Sequence, residues 1–222
     1  MSRIFSSLSV VSVLLLGVVI WLGLNIGDYN RPWQEVIGIQ QRLSELQLKP
    51  PSEAGDAQRQ ELQKEFDSLY KDLEPLRSRA SNHKMFAIFT GIFTVLVNCI
   101  GVTYFIGTSR WCKEVVQTYS MSTSFVDESD RIKRKSFPWA VLGFFTVLGI
   151  IAMGAAADPA TLRQTTSQWV TPHLWAGIGG TTFIAWAFFS QFVQIQSHGE
   201  LVERILAEVR KIRIERGLDV EG

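Results

Sequence analysis

The chain has 222 residues, 46 % hydrophobic and 19 % charged, with a net charge of +1. Such averages suit one ordinary soluble domain, and with two cysteines they exclude a disulfide framework. They conceal a segregation, because residues 8–26, 85–107, 137–157 and 174–193 contain no Asp, Glu, Lys or Arg.

A bilayer core of ~30 Å takes ~20 apolar residues in a helix. A water-soluble helix seldom runs that far without a polar face. All four stretches are therefore expected to span a membrane. The first, within residues 1–27, also resembles a signal peptide, with Arg3 ahead of an apolar run. Its run over 8–24 is longer than an h-region of about 7–15 residues. Trp21, Leu22, Gly23, Leu24 and Asn25 supply no small-x-small cleavage site, so a retained helix is expected.

Residues 28–84 open with turn formers and then show a helical period. Val36, Ile39, Leu43 and Leu46 recur at steps of three and four, ahead of the turn-like "KPPSEAGD" at 49–56. Beyond it, Leu62, Phe66, Leu69, Leu73 and Leu76 continue at a 3.5-residue period, the spacing of a coiled-coil seam. Two such seams predict an antiparallel helical hairpin, and each is short enough to want a partner or its own membrane base. The stepping carries on through Ala80, His83, Ala87, Gly91, Thr94, Asn98 and Gly101. The face thus changes from leucine to small and polar residues as it enters the span at 85–107. In lipid, apolar side chains give no advantage to association, so close backbone approach and interhelical hydrogen bonds take over. Leu62 to Leu76 and then Ala87, Gly91, Thr94, Asn98 and Gly101 are accordingly predicted as one helix-packing face. Pro75 is expected to kink it.

The segment at 108–136 reads as a basic cytoplasmic loop. Its "RIKRK" run places Arg131, Lys133, Arg134 and Lys135 against anionic headgroups, each worth ~1 kcal/mol near such a surface. The third span covers 137–157, a short outer loop 158–173, and the fourth span 174–196. Small residues recur in both, as at Gly149, Ala152, Ala156, Ala176 and Gly180. A tail at 197–222 has Val202, Ile205, Val209 and Ile212 on one helical stripe. Basic residues in this tail and in "RIKRK" place both termini in the cytoplasm. Arg77, Arg79 and Lys84, beside the outer end of the second span, run against that rule.

The sequence therefore predicts an all-α integral membrane protein of bacterial inner-membrane type. It has four transmembrane helices, an extracytoplasmic antiparallel helical hairpin between the first and second spans, and a cytoplasmic amphipathic C-terminal helix.

His83 and His173 both fall at the outer membrane face, where two imidazoles can ligate a haem iron or a metal ion. His198 falls on the other side and is expected to cap a helix or touch headgroups. Asn98 is expected to make a packing hydrogen bond. No phosphate loop, Ser/His/Asp set or HExxH stands in the sequence, and the basic tail is too short and mixed for nucleic acid. The expected role is a non-enzymatic interaction or scaffold protein without a cofactor. It would self-associate or dock as a small subunit of a larger membrane complex, with lipids and membrane proteins as partners. The alternatives are a redox subunit holding haem b between His83 and His173, or a transporter component.

Overall fold

The structure is a computed structural model that describes residues 1–48, 50, 53–161 and 165–218. Among the described residues there are helices and no strand. The helices are α1 (Ser2–Leu24), α2 (Asn30–Gln47), α3 (Glu53–Thr118), α4 (Ser124–Ala157) and α5 (Thr166–Glu215), with a 3-10 turn at Pro159–Thr161. Four of these, α1, α3, α4 and α5, are long and apolar enough to cross a membrane. At ~1.5 Å per residue, the 66 residues of α3 run about 100 Å, far more than a bilayer needs.

Several boundaries differ from the sequence reading. The turn expected at 49–56 is shorter, because Glu53 and Asp56 already form the first turn of α3. Two carboxylates there suit the positive end of the helix dipole. Residues 49, 51 and 52 of that turn, and Arg163 of the outer loop, lie outside the described residues.

The loop expected at 108–136 is helical except at 119–123. Ser109, Cys112 and Val116 continue the buried face of α3 past Gly101, so the helix gains by running on. It ends where Ser120 turns left-handed at φ 57°. Met121 N–H then reaches the Val116 carbonyl at 2.9 Å and Ser120 N–H the Gln117 carbonyl at 3.3 Å, a Schellman end.

The fourth span and the tail are likewise one helix, α5, which passes Gly199 without a break. Leu201 and Ile205 are fully buried there, so the partner of the tail stripe is this chain itself. Gly217 closes α5 at φ 64°. α3 is also continuous through Pro75.

The chain forms two compact units. One comprises Met1–Leu15, Gly91–Leu148 and Gly180–Gly222, and the other Leu16–Thr90 and Gly149–Gly179. In the first, Phe5 meets Phe188 edge-on with centroids 6.0 Å apart. Val97, Phe105 and Ile184 share this core with Ser12, Thr94, Asn98, Gln191 and His198, all buried. Its outside is greasy, with Ile92, Leu96, Phe145, Trp186 and Phe189 exposed. Polar groups inside and large apolar ones outside invert the usual arrangement of a water-soluble bundle.

In the second unit, Val36, Ile39 and Leu46 of α2 and Leu73 of α3 are buried. Arg59 donates to the Leu46 carbonyl at 2.6 Å, tying α3 to the end of α2. Thr166 donates to Asn30 Oδ1 at 2.7 Å, tying the start of α5 to the start of α2. Lys84 forms an ion pair with Asp158.

Candidate functional site

In the second unit, α3 supplies His83 and α5 supplies His173, and their ring centroids are 6.4 Å apart with planes at 74°. Each ring lodges against a glycine of a different helix. A Cβ built on Gly23 of α1 would stand 3.1 Å from His83 Cε1, and one on Gly154 of α4 would stand 3.0 Å from His173 Cε1. Any larger residue at either place would push its imidazole away.

The glycines also expose backbone. His83 Nδ1 lies 3.1 Å from the carbonyl oxygen of Val19, one helical turn before Gly23. A carbonyl can only accept, so Nδ1 carries the proton, and in the neutral ring Nε2 keeps the lone pair. Nδ1 of His173 is buried without a hydrogen-bond partner. Two helices thus present imidazoles, and two others meet each ring with a glycine. The sequence placed these histidines at one level, but not the glycines that meet them. The signal available was a glycine in each of the first and third spans, too common to stand out.

A second set of polar groups lies in the first unit. Ser12 and Thr94 share a hydrogen bond of 2.8 Å, and Gln191 Nε2 donates to Asn98 Oδ1 at 3.0 Å. Asn98 Nδ2 donates to the Thr94 carbonyl at 3.4 Å. A Cβ on Gly143 would stand 3.3 Å from Asn98 Nδ2, and one on Gly101 would stand 2.8 Å from Gln191 Oε1. Small residues therefore make room for a ladder of amides and hydroxyls joining α1, α3, α4 and α5.

His198 departs from expectation. It is fully buried, so it neither caps a helix at the surface nor meets headgroups. Its Nε2 is 2.9 Å from Ser129 Oγ, and Ser129 donates to Ser109 at 3.0 Å. The single hydroxyl proton of Ser129 is thereby used, so His198 Nε2–H is the donor. Tyr104 and Phe105 stand edge-on to the ring at 5.7 and 5.8 Å. The sequence hid this cluster because Ser109 and Ser129 fall in the segment that reads as a loop, far along the chain from His198.

The predicted packing residues all lie on the inward face of α3. Leu62, Phe66, Leu69, Leu76 and Ala87 are half-buried, and Leu73, Gly91, Thr94, Asn98 and Gly101 are buried. Of the basic residues, Arg131, Arg134 and Lys135 are exposed, whereas Lys133 is half-buried and held by Asp130 at 2.6 Å. Cys99 and Cys112 are both free thiols. A groove of about 780 Å³ opens in the second unit, lined by Asp28, Arg31, Glu35, Arg42, Glu65 and Leu69 among others.

Comparison of the chain with models of known protein families, with curated proteins and with solved structures gave no match.

Proposed function

We propose that the chain is a membrane-embedded interaction protein that pairs with a second copy of itself through the groove of the 28–84 segment. The observation that carries this reading is the charge pattern of that groove. Arg31 and Arg42 share its walls with Asp28, Glu35 and Glu65, and Leu69 lines it as well. A two-fold contact puts the same patch on both partners, so it must be complementary to itself, and a patch carrying both signs around an apolar residue meets that need. The stretch of the α3 packing face around Asn98 and Gly101 does not serve this role, since it meets Gln191 of the same chain.

In this reading the 28–84 segment lies outside a bacterial-type inner membrane and both termini lie in the cytoplasm. Arg131, Arg134 and Lys135 rest against anionic headgroups on the inner side. Charge reversal tests the pairing. Arg42→Glu and Glu65→Arg should each lower the crosslinked dimer yield in membranes, and co-expression of the two variants should restore it. A dimer indifferent to both, or a different protein crosslinked at the groove of the native chain, removes the self-pairing.

A further inference from the structure

The histidine pair goes beyond a docking role. We propose that His83 and His173 form a two-coordinate site for a single copper(I) ion.

The first argument is orientation. A metal-ligating histidine commonly gives its other ring N–H to a backbone carbonyl, which fixes the tautomer and turns the free lone pair to the metal. His83 does this through Nδ1 and the Val19 carbonyl, leaving Nε2 to ligate. His173 rests against Gly154 of α4, and its Nδ1 is buried without a hydrogen-bond partner.

The second argument is distance. Metal–nitrogen bonds of about 2 Å from two opposed imidazoles set the ring centroids about 6 Å apart. The observed separation is 6.4 Å. That separation leaves room for one ion between the rings when their free nitrogens turn to each other.

The third argument selects the ion. Among the described residues no third His, Cys, Asp or Glu joins the pair. Zinc asks for four ligands and would carry two uncompensated charges into an apolar surround. Copper(I) carries one charge, accepts imidazole nitrogen and is satisfied by two ligands in line. Haem also asks for two axial imidazoles, but its flat macrocycle needs a slot between them. Here the four helices close directly on the rings, with Gly23 and Gly154 in contact distance of the imidazole carbons.

The full chain, purified in mild detergent under a reductant, is offered copper(I) as its coloured complex with bicinchoninate. The native protein should withdraw one copper per chain and bleach the colour. X-ray absorption should then show two nitrogen neighbours in near-linear geometry, a readout that needs no variant. His83→Ala and His173→Ala should lose the copper while His198→Ala keeps it. A helical native protein that withdraws no copper overturns the site. So does tighter retention of zinc, or a Soret band on adding hemin that depends on both histidines.

Discussion

One helix packs by two chemistries. Over residues 53–90, α3 belongs to one unit, and over 91–118 to the other. In the first stretch its inward face is Leu69, Leu73 and Leu76, with Leu73 only 2 % exposed. In the second it is Gly91, Thr94, Asn98, Gly101 and Ser109, all buried. The outward face is charged at Lys64, Glu65, Lys71 and Asp72, apolar from Met85 through Ile88, Phe89, Ile92 and Leu96 to Ile106, and charged again at Arg110, Lys113 and Glu114. The helical period is unchanged. In the membrane reading proposed above, what changes is the solvent that the outward face must satisfy, and with it the side chains that gain by turning inward.

The comparison breaks most sharply at Leu73. Leu73→Asp puts an unpaired carboxylate where water does not reach, at a cost on the order of 4 kcal/mol. Limited proteolysis should cut within 28–84 while the chain still inserts in membranes. Unchanged protection would mean that the leucine face is not packed.

The next effect belongs to the small residues. Gly101→Ala sets a methyl 2.8 Å from Gln191 Oε1 and 3.2 Å from Phe5 Cε2. Overpacking of this kind costs ~1–3 kcal/mol. Gly107, two turns on, has nothing within 4 Å of the added carbon. Gly107→Ala should gain up to ~1 kcal/mol, because alanine loses less entropy in a helix. Thermal unfolding in detergent should therefore move in opposite directions for the same chemical change. A common direction would show that the close approach at Gly101 is not what holds these helices together.

Much of this was legible because period and charge are properties of the chain alone. The inward face of α3 could be read from its steps of three and four, and none of the ten residues chosen is exposed. The four apolar helices followed from the charge-free stretches. What escaped reading depends on partners far apart in sequence. Residues 108–118 carry Lys113, Glu114 and Gln117 outward, so they look like a loop, while Ser109, Cys112 and Val116 turn inward unseen. In "RIKRK", Ile132 is buried between the exposed Arg131 and the half-buried Lys133, so a run read as a surface signal is also one side of a packed helix. His198 was misread for the same reason, because Ser109 and Ser129, which account for its burial, stand 89 and 69 residues away.

A smaller effect tests the amide ladder. Gln191→Leu removes the donor to Asn98 and should cost about 1 kcal/mol, the usual worth of an interhelical hydrogen bond in lipid. Asn98→Leu should cost a similar amount by stranding Gln191 Nε2. Replacing both removes donor and acceptor together, so the double variant should lose less than the sum of the two. Strict additivity in such a cycle would mean that the two amides do not act as a pair.

The smallest expected effect is at the end of the same helix. Arg204 Nη2 is 2.6 Å from Glu128 Oε1, joining α5 to the first turns of α4. The arginine side chain is 54 % exposed and the glutamate 28 %. Water and salt screen such a pair, and its worth is ~0.2–1 kcal/mol. Arg204→Ala should lower the unfolding temperature slightly at low salt, and the difference from the native chain should shrink in about 0.5 M salt. The polar contacts deeper in the unit, from His198 to Ser129 and from Gln191 to Asn98, are shielded from ions and should not respond to salt. If Arg204→Ala proved as costly as Gln191→Leu and equally indifferent to salt, the tail of α5 would lie in a medium as dry as the span. The contrast between a water-facing and a lipid-facing chemistry would then end earlier along α5 than its buried residues imply.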